Sequence, residues 1–201
     1  MSTPTISAAD VKALRDRTGA GILACREALA ESDGDVERAV EILRARGQAQ
    51  AAKRAGAEAS EGVVQSYIHA GNKIGVLVEV DCETDFVARN DNFVEFARDL
   101  ALHIAAANPL AVTDEDIPAE DREREERIAT EQAADRPENV RERIVQGKLD
   151  KWLDDVVLLR QKHVNEDKHG GKTIEELRAE LASETGENVV IRRFTRFAVG
   201  A

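Results

Sequence analysis

The chain has 201 residues, of which 42 % are hydrophobic, 3 % aromatic and 33 % charged, with a formal net charge of −11. That length fits one domain or two small ones, and the acid excess in the middle of the chain opposes direct binding of nucleic-acid phosphates. Two distant cysteines, Cys25 and Cys82, without a CxxC motif argue against a disulfide scaffold or a zinc site. The sequence shows no signal-peptide pattern and no apolar run near the ~18 residues of a membrane span, so a cytoplasmic setting is expected.

The first 47 residues read as three short helices. Ser7-Ala8-Ala9-Asp10 resembles a capping box and opens a helix to about Arg17. Thr18-Gly19-Ala20-Gly21 stops it, because glycine tolerates tight reversals. A second helix is expected from about Ile22 to Glu31, followed by a break at Ser32-Asp33-Gly34. The third, about Asp35 to Arg46, carries Val36, Ala39, Val40 and Leu43 as one stripe, with Gly47 as its C-cap. Residues 48–61 are alanine-rich and read as a helical or partly ordered linker.

The period then changes from 3.6 to 2. Gly62–His69 and Ile74–Asp81 form the two arms of a hairpin around Ala70-Gly71-Asn72-Lys73, with Ile74, Val76, Val78 and Val80 on one face. A long helix is expected from about Asn92 to Ala107, with Phe93, Phe96, Ala97, Leu100 and Ile104 as its core stripe. Residues 113–135 interleave opposite charges and suit an exposed helix, and residues 137–160 continue as helices. His163–Gly171 reads as a polar surface loop. Thr173-Ile174-Glu175-Glu176 opens a helix to about Thr185, and Asn188–Val199 is a last strand pairing with the hairpin. The expected class is α+β: an N-terminal three-helix bundle (1–47), a linker (48–61), and a core (62–201) with a small antiparallel sheet and packed helices.

Enzyme chemistry finds little support. The chain has no Gly-rich phosphate loop, GxSxG or HExxH motif, so no cofactor is expected. His69, His103, His163 and His169 share no metal-ligand spacing, and no metal site is expected. His103 lies near an apolar stripe, where a packed, satisfied histidine is the plainer reading. The odd segment is Cys82–Asp91, which places Phe86 and Val87 between a strand and a helix. If the helix begins at Asp85, Phe86 joins the stripe of Phe93. If Asn90-Asp91-Asn92 interrupts it, Phe86 is free to point outward as an anchor for a partner. Spacing alone leaves both open.

The wording of these segments resembles one family. Thr84-Asp85-Phe86-Val87-Ala88-Arg89-Asn90 resembles the TDFVA(K/R)N signature of the elongation factor Ts family. Leu14-Arg15-Asp16-Arg17-Thr18-Gly19-Ala20-Gly21 resembles its LRxxTGAG signature, and His103-Ile104-Ala105-Ala106 with Asn108-Pro109 resembles its HIAxxxP segment. Gly186-Glu187-Asn188-Val189-Val190-Ile191-Arg192-Arg193 resembles GEN(I/V)xxRR. The matches fall in family order over nearly the whole chain, in the family's short form.

The resemblance implies a guanine nucleotide exchange factor for the translational GTPase EF-Tu, without bond-making chemistry. It implies that the N-terminal bundle, similar in shape to ubiquitin-associated domains, docks on the partner through Arg15, Ile22 and Leu23. Thr84, Asp85, Phe86 and Val87 match the segment that dislodges Mg2+ from EF-Tu, with Phe86 as the wedge. His103 and Gly186 match further partner contacts. Short members imply a homodimer. Thr195 stands where one short relative has an interchain cysteine, so that covalent route is closed here. Without the resemblance, a ubiquitin-binding or chaperone-type adaptor is the main rival reading, and a small enzyme the second.

Overall fold

The computed structural model describes residues 6–18 and 20–200. Gly19, part of the expected first break, lies outside the described residues. The chain is an α+β protein that divides into two compact units. The first comprises residues up to Gly62, Asp81–Phe93 and Glu176–Val190; the second comprises Val63–Val80, Val94–Glu175 and Ile191–Ala201.

In the first unit, α1 (Ala8–Thr18), α2 (Ile22–Glu31) and α3 (Val36–Arg54) form the N-terminal bundle. The capping box is present: Asp10 N–H donates to Ser7 Oγ at 3.1 Å, and Ser7 N–H donates to Asp10 Oδ2 at 3.1 Å. Asp35 caps α3 by accepting from the Arg38 amide at 3.1 Å. Val11, Leu14, Cys25, Ala28, Leu29, Ala39 and Leu43 make the bundle's core. Of the expected α3 stripe, Ala39 and Leu43 are buried, whereas Val36 is exposed in the first turn. Leu14 and Leu29 are the largest fully buried side chains in that core, at roughly 1.5–3 kcal/mol each.

The expected end of the third helix at about Arg46 is corrected. Gly47 does not cap α3, because the helix runs on to Arg54, through half of the expected linker. Alanine is the best helix former and Ala-rich sequence needs no interruption there. Gly47 instead faces α9 (Ile174–Thr185), where a Cβ on it would lie 3.5 Å from Ser183 Cβ. Arg44 of α3 also pairs with Glu176 of α9.

The second unit holds most of a three-stranded antiparallel sheet in the order β1 (Glu61–Ile68), β2 (Ile74–Cys82), β3 (Val190–Ala198). Gly71 and Asn72 take φ of +89° and +58°, which the hairpin turn requires. The His69 amide donates to Ile74 O at 2.9 Å and the Val199 amide to Lys73 O at 2.9 Å, fixing the register on both sides of β2. Val76, Val78 and Val80 face inward and are buried. The long helix α5 (Asp91–Ala107) buries Ala97, Leu100, Ala101 and Ile104, and Arg196 Nε of β3 donates to Ala105 O at 3.2 Å.

Helices α6 (Ala119–Ala133) and α7 (Glu138–Val156) pack on each other, and α6 is largely exposed, as the interleaved charges suggest. Its root is sealed by Ala111, Ile117, Leu153 and Val157 with Trp152 and Val156. The segment read as a polar surface loop is largely exposed; it contains the short helix α8 (Glu166–His169), and His163 at its start is buried. No helix among the described residues is long and apolar enough to cross a membrane.

Candidate functional site

Strand β2 ends at Cys82, and Thr84 opens the four-residue helix α4 (Asp85–Ala88). Thr84 is its N-cap, accepting from the Val87 amide at 3.4 Å. Asn90 then caps the next helix, its side-chain oxygen accepting from the Asn92 amide at 2.9 Å. This interruption decides what spacing left open. Phe93 is wholly buried in α5, while Phe86, seven residues earlier, is 84 % exposed. Asp85 forms an i,i+4 ion pair with Arg89 at 3.0 Å.

A helix of one turn does not sustain itself, since nucleation fixes several residues for a single bond. Here it is braced from outside. Glu187 Oε2 accepts from the amides of Glu83 and Thr84, each at 3.0 Å, and Glu187 Oε1 accepts from Thr84 Oγ1 at 2.6 Å. The Glu83 carboxylate in turn accepts from the Asn188 amide at 2.6 Å and from Arg54 Nη1 at 2.9 Å. These two donors hold the Glu83 carboxyl below its ordinary range, the amide contributing most. Asn188 is anchored by its Nδ2 donating to Ala57 O at 2.9 Å. Burial, with the Glu187 charge second, pushes the Cys82 thiol up to about 11, so this thiol is unreactive at neutral pH.

Gly186 ends α9 with φ of +72°, a conformation costly for any side chain, and its amide donates to Ala182 O at 3.0 Å. That turn is what directs Glu187 toward Thr84. Sequence reading singled out Gly186 and passed over Glu187, Asn188 and Glu83. The available signal was the adjacent Glu187-Asn188 pair in the same motif, but its partner lies 103 residues away in the chain.

In the bundle, Arg15, Ile22 and Leu23 are all exposed, Ile22 at 61 % and Leu23 at 69 %. Both apolar side chains sit in the first turn of α2, and neither enters the bundle core.

His103 lies in the other unit and has no exposed surface. Its Nε2 meets Gln161 Oε1 at 2.9 Å and its Nδ1 accepts from the Val164 amide at 3.2 Å, which assigns a neutral ring protonated on Nε2. Gln161 is itself held by donating to Asp155 O at 2.6 Å. His163 repeats the pattern, with Nε2 3.2 Å from Asp99 O and Nδ1 accepting from the Asn165 amide at 3.0 Å. The rings of His103 and His163 are 5.2 Å apart, and those of His163 and His169 are 4.1 Å apart. His169 Nε2 lies 3.2 Å from Asp99 Oδ2, at ion-pair distance but misaligned for a hydrogen bond. Burial lowers the pKa of all three, that of His163 to about 4. Among the described residues no group of three or more His, Cys, Asp or Glu side chains could hold a metal ion. The satisfied-histidine reading of His103 therefore describes what the fold does with it.

Comparison with known proteins points the same way as the motifs. The family model for Elongation factor TS matches residues 36–170. A protein named elongation factor Ts from Desulfotalea psychrophila is 53 % identical over 194 residues, covering 95 % of this chain and 96 % of its own. Those from Geobacter sulfurreducens and Caldanaerobacter subterraneus are 50 % and 49 % identical, over 98 % and 97 % of this chain and 90 % and 97 % of theirs. With the Thr84–Val87 segment inside the family match and near-complete coverage by the relatives, this chain belongs to the elongation factor Ts family.

Proposed function

We propose that this chain is a cytoplasmic guanine nucleotide exchange factor that acts on EF-Tu, promoting GDP release by displacing Mg2+ and remodelling the nucleotide site. The single observation that carries this reading is Phe86: a large aromatic held 84 % exposed on a one-turn helix whose cap residue Thr84 is braced by Glu187. A solvent-facing phenylalanine gains nothing in the free protein, and roughly 1.5–3 kcal/mol on entering a partner's pocket. Asp85 holds the displaced state by hydrogen bonding or charge, and Thr84 and Val87 frame the wedge.

The energetics are those of linkage. A factor that prefers nucleotide-free EF-Tu weakens GDP by the same ratio. A thousand-fold weakening requires about 4 kcal/mol of differential binding. Phe86 alone falls short, so the docking bundle (1–47) contributes through Arg15, Ile22 and Leu23. Residues 62–201 supply the wedge and the dimerisation surface, while 48–61 act as a partly helical spacer. His103, enclosed in its unit in the free chain, is carried from the resemblance as a further partner contact. Gly186 acts through the turn it permits. No covalent bond is made or broken, and GTP reverses the complex by mass action.

The outer sheet face supports a homodimer. Val64, Ile68, Leu77, Phe197 and Val199 are exposed there, and Ile68 leans across Gly75, whose Cβ position is 3.0 Å from Ile68 Cδ1. Burying such a face against a second copy gives two packed sheets, and Thr195 on the same strand keeps that contact non-covalent.

The test is stopped-flow release of fluorescent GDP from EF-Tu at rising factor concentration. Acceleration that saturates, and that weakens when the magnesium concentration is raised, is expected. A folded factor without effect on release contradicts the reading and favours an adaptor.

A further inference from the structure

We propose that Glu187 is a positioning residue for nucleotide exchange: it holds Thr84 so that the helix behind it presents Phe86 in one direction. This inference rests on the exchange-factor reading above.

Glu187 is the only side chain whose carboxylate, among the described contacts, grips both the backbone and the hydroxyl of Thr84. Three donors converge on it: two adjacent amides at 3.0 Å on Oε2 and the Thr84 hydroxyl at 2.6 Å on Oε1. Charge-assisted bonds of this kind are stronger and more directional than neutral ones. Because the Thr84 hydroxyl gives its proton to Glu187, its lone pairs face the Val87 amide, which it accepts at 3.4 Å. The cap and the carboxylate thus form one chain, from Glu187 through Thr84 to α4.

The carboxylate is itself fixed. Gly186 turns the chain with φ of +72°, and Asn188 is bonded through its amide to Glu83 and through its side chain to Ala57 O. The same Glu83 receives Arg54, the last residue of α3. Nineteen residues of α3 span about 28 Å. The bundle's third helix is therefore tied to the residue preceding Thr84 by the Arg54–Glu83 ion pair. An aromatic that must enter a pocket in one orientation loses rate when its carrier swings, even when its own atoms are intact.

The test is a two-by-two cycle of Phe86→Ala and Glu187→Ala in GDP release from EF-Tu, reading the maximal rate at saturating factor and the half-saturating concentration separately. Glu187→Ala is expected to lower the maximal rate about 10-fold or more, with little change in half-saturation. In the Phe86→Ala background the same substitution is expected to cost less than about 2-fold, because a residue that acts through Phe86 has nothing left to position. Multiplying losses, an unchanged maximal rate, or a loss confined to half-saturation would each overturn the proposal. Should Glu187→Ala melt early, Glu187→Gln, which keeps one acceptor oxygen, runs through the same cycle. Wild-type factor that fails to release GDP contradicts the exchange-factor reading instead, so the two failures are distinguishable.

Discussion

Two polar networks in this protein do opposite things with similar parts. Around Thr84, carboxylates and amides lie at the surface, and their combined effect is to hold an apolar ring in water. Around His103, amides and carbonyls close on imidazoles that are wholly inside. The first network serves a side chain left exposed; the second encloses His103 and His163, each with partners on both ring nitrogens. Phe86 and Phe93 make the same contrast within one unit, seven residues apart, at 84 % and 0 % exposure.

That contrast is open to attack from several sides. The largest effect is expected at Phe93: Phe93→Ala leaves a cavity in a close-packed region and should cost about 3–5 kcal/mol in denaturant unfolding. If Phe93→Ala costs no stability, the burial half of the comparison is wrong. The docking side chains come next. Ile22→Ser with Leu23→Ser should raise the half-saturating factor concentration by more than roughly 10-fold, given about 1.5 kcal/mol or more per buried aliphatic. The maximal release rate should stay put, since the wedge is untouched. A fall in the maximal rate with half-saturation unchanged would place these residues in the displacement step.

The smallest effect separates the two networks by pH. His103, His163 and His169 have folded pKa values below the ordinary ~6.5, so the folded protein binds fewer protons than the unfolded chain. Their stabilising contribution is full above about pH 6.5 and is lost as pH falls toward the folded values, about 4 for His163. The charged and titratable groups around them are Asp99, Glu95, Lys168 and Lys172. Glu83 is lowered too, but from the carboxylate range, so its bonds to Asn188 and Arg54 persist through this window. The unfolding free energy from urea melts should therefore hold above about pH 6.5 and fall below it by up to about 1.4 kcal/mol per pH unit per histidine, and His163→Gln should flatten the slope. A slope unaffected by His163→Gln would remove His163 from the pH response.

Much of the architecture was legible because local patterns carry it. The capping box at Ser7, the alternation from Ile74 to Val80 and the stripe of α5 each state a period that tertiary packing then obeys. Gly47 misled because glycine at a helix's end and glycine inside one look alike in sequence, and only the helix beyond it distinguishes them. His163–Gly171 lies largely at the surface as read, and what its polarity hid is His163, whose ring turns inward to Asp99 O. The family signature located Thr84–Val87 and Gly186, while local spacing could not decide which way Phe86 points. The brace of Glu187 on Thr84 was invisible, since no periodicity links residues 103 apart.

The most direct test of the central claim is GDP release from EF-Tu by Phe86→Ala beside wild type, with thermal unfolding of both. The account predicts a maximal rate lowered roughly 10- to 100-fold, matching the 1.5–3 kcal/mol of a buried phenylalanine, with unfolding unchanged within about 0.5 kcal/mol. A Phe86→Ala factor that is stable and releases GDP as fast as wild type would contradict it.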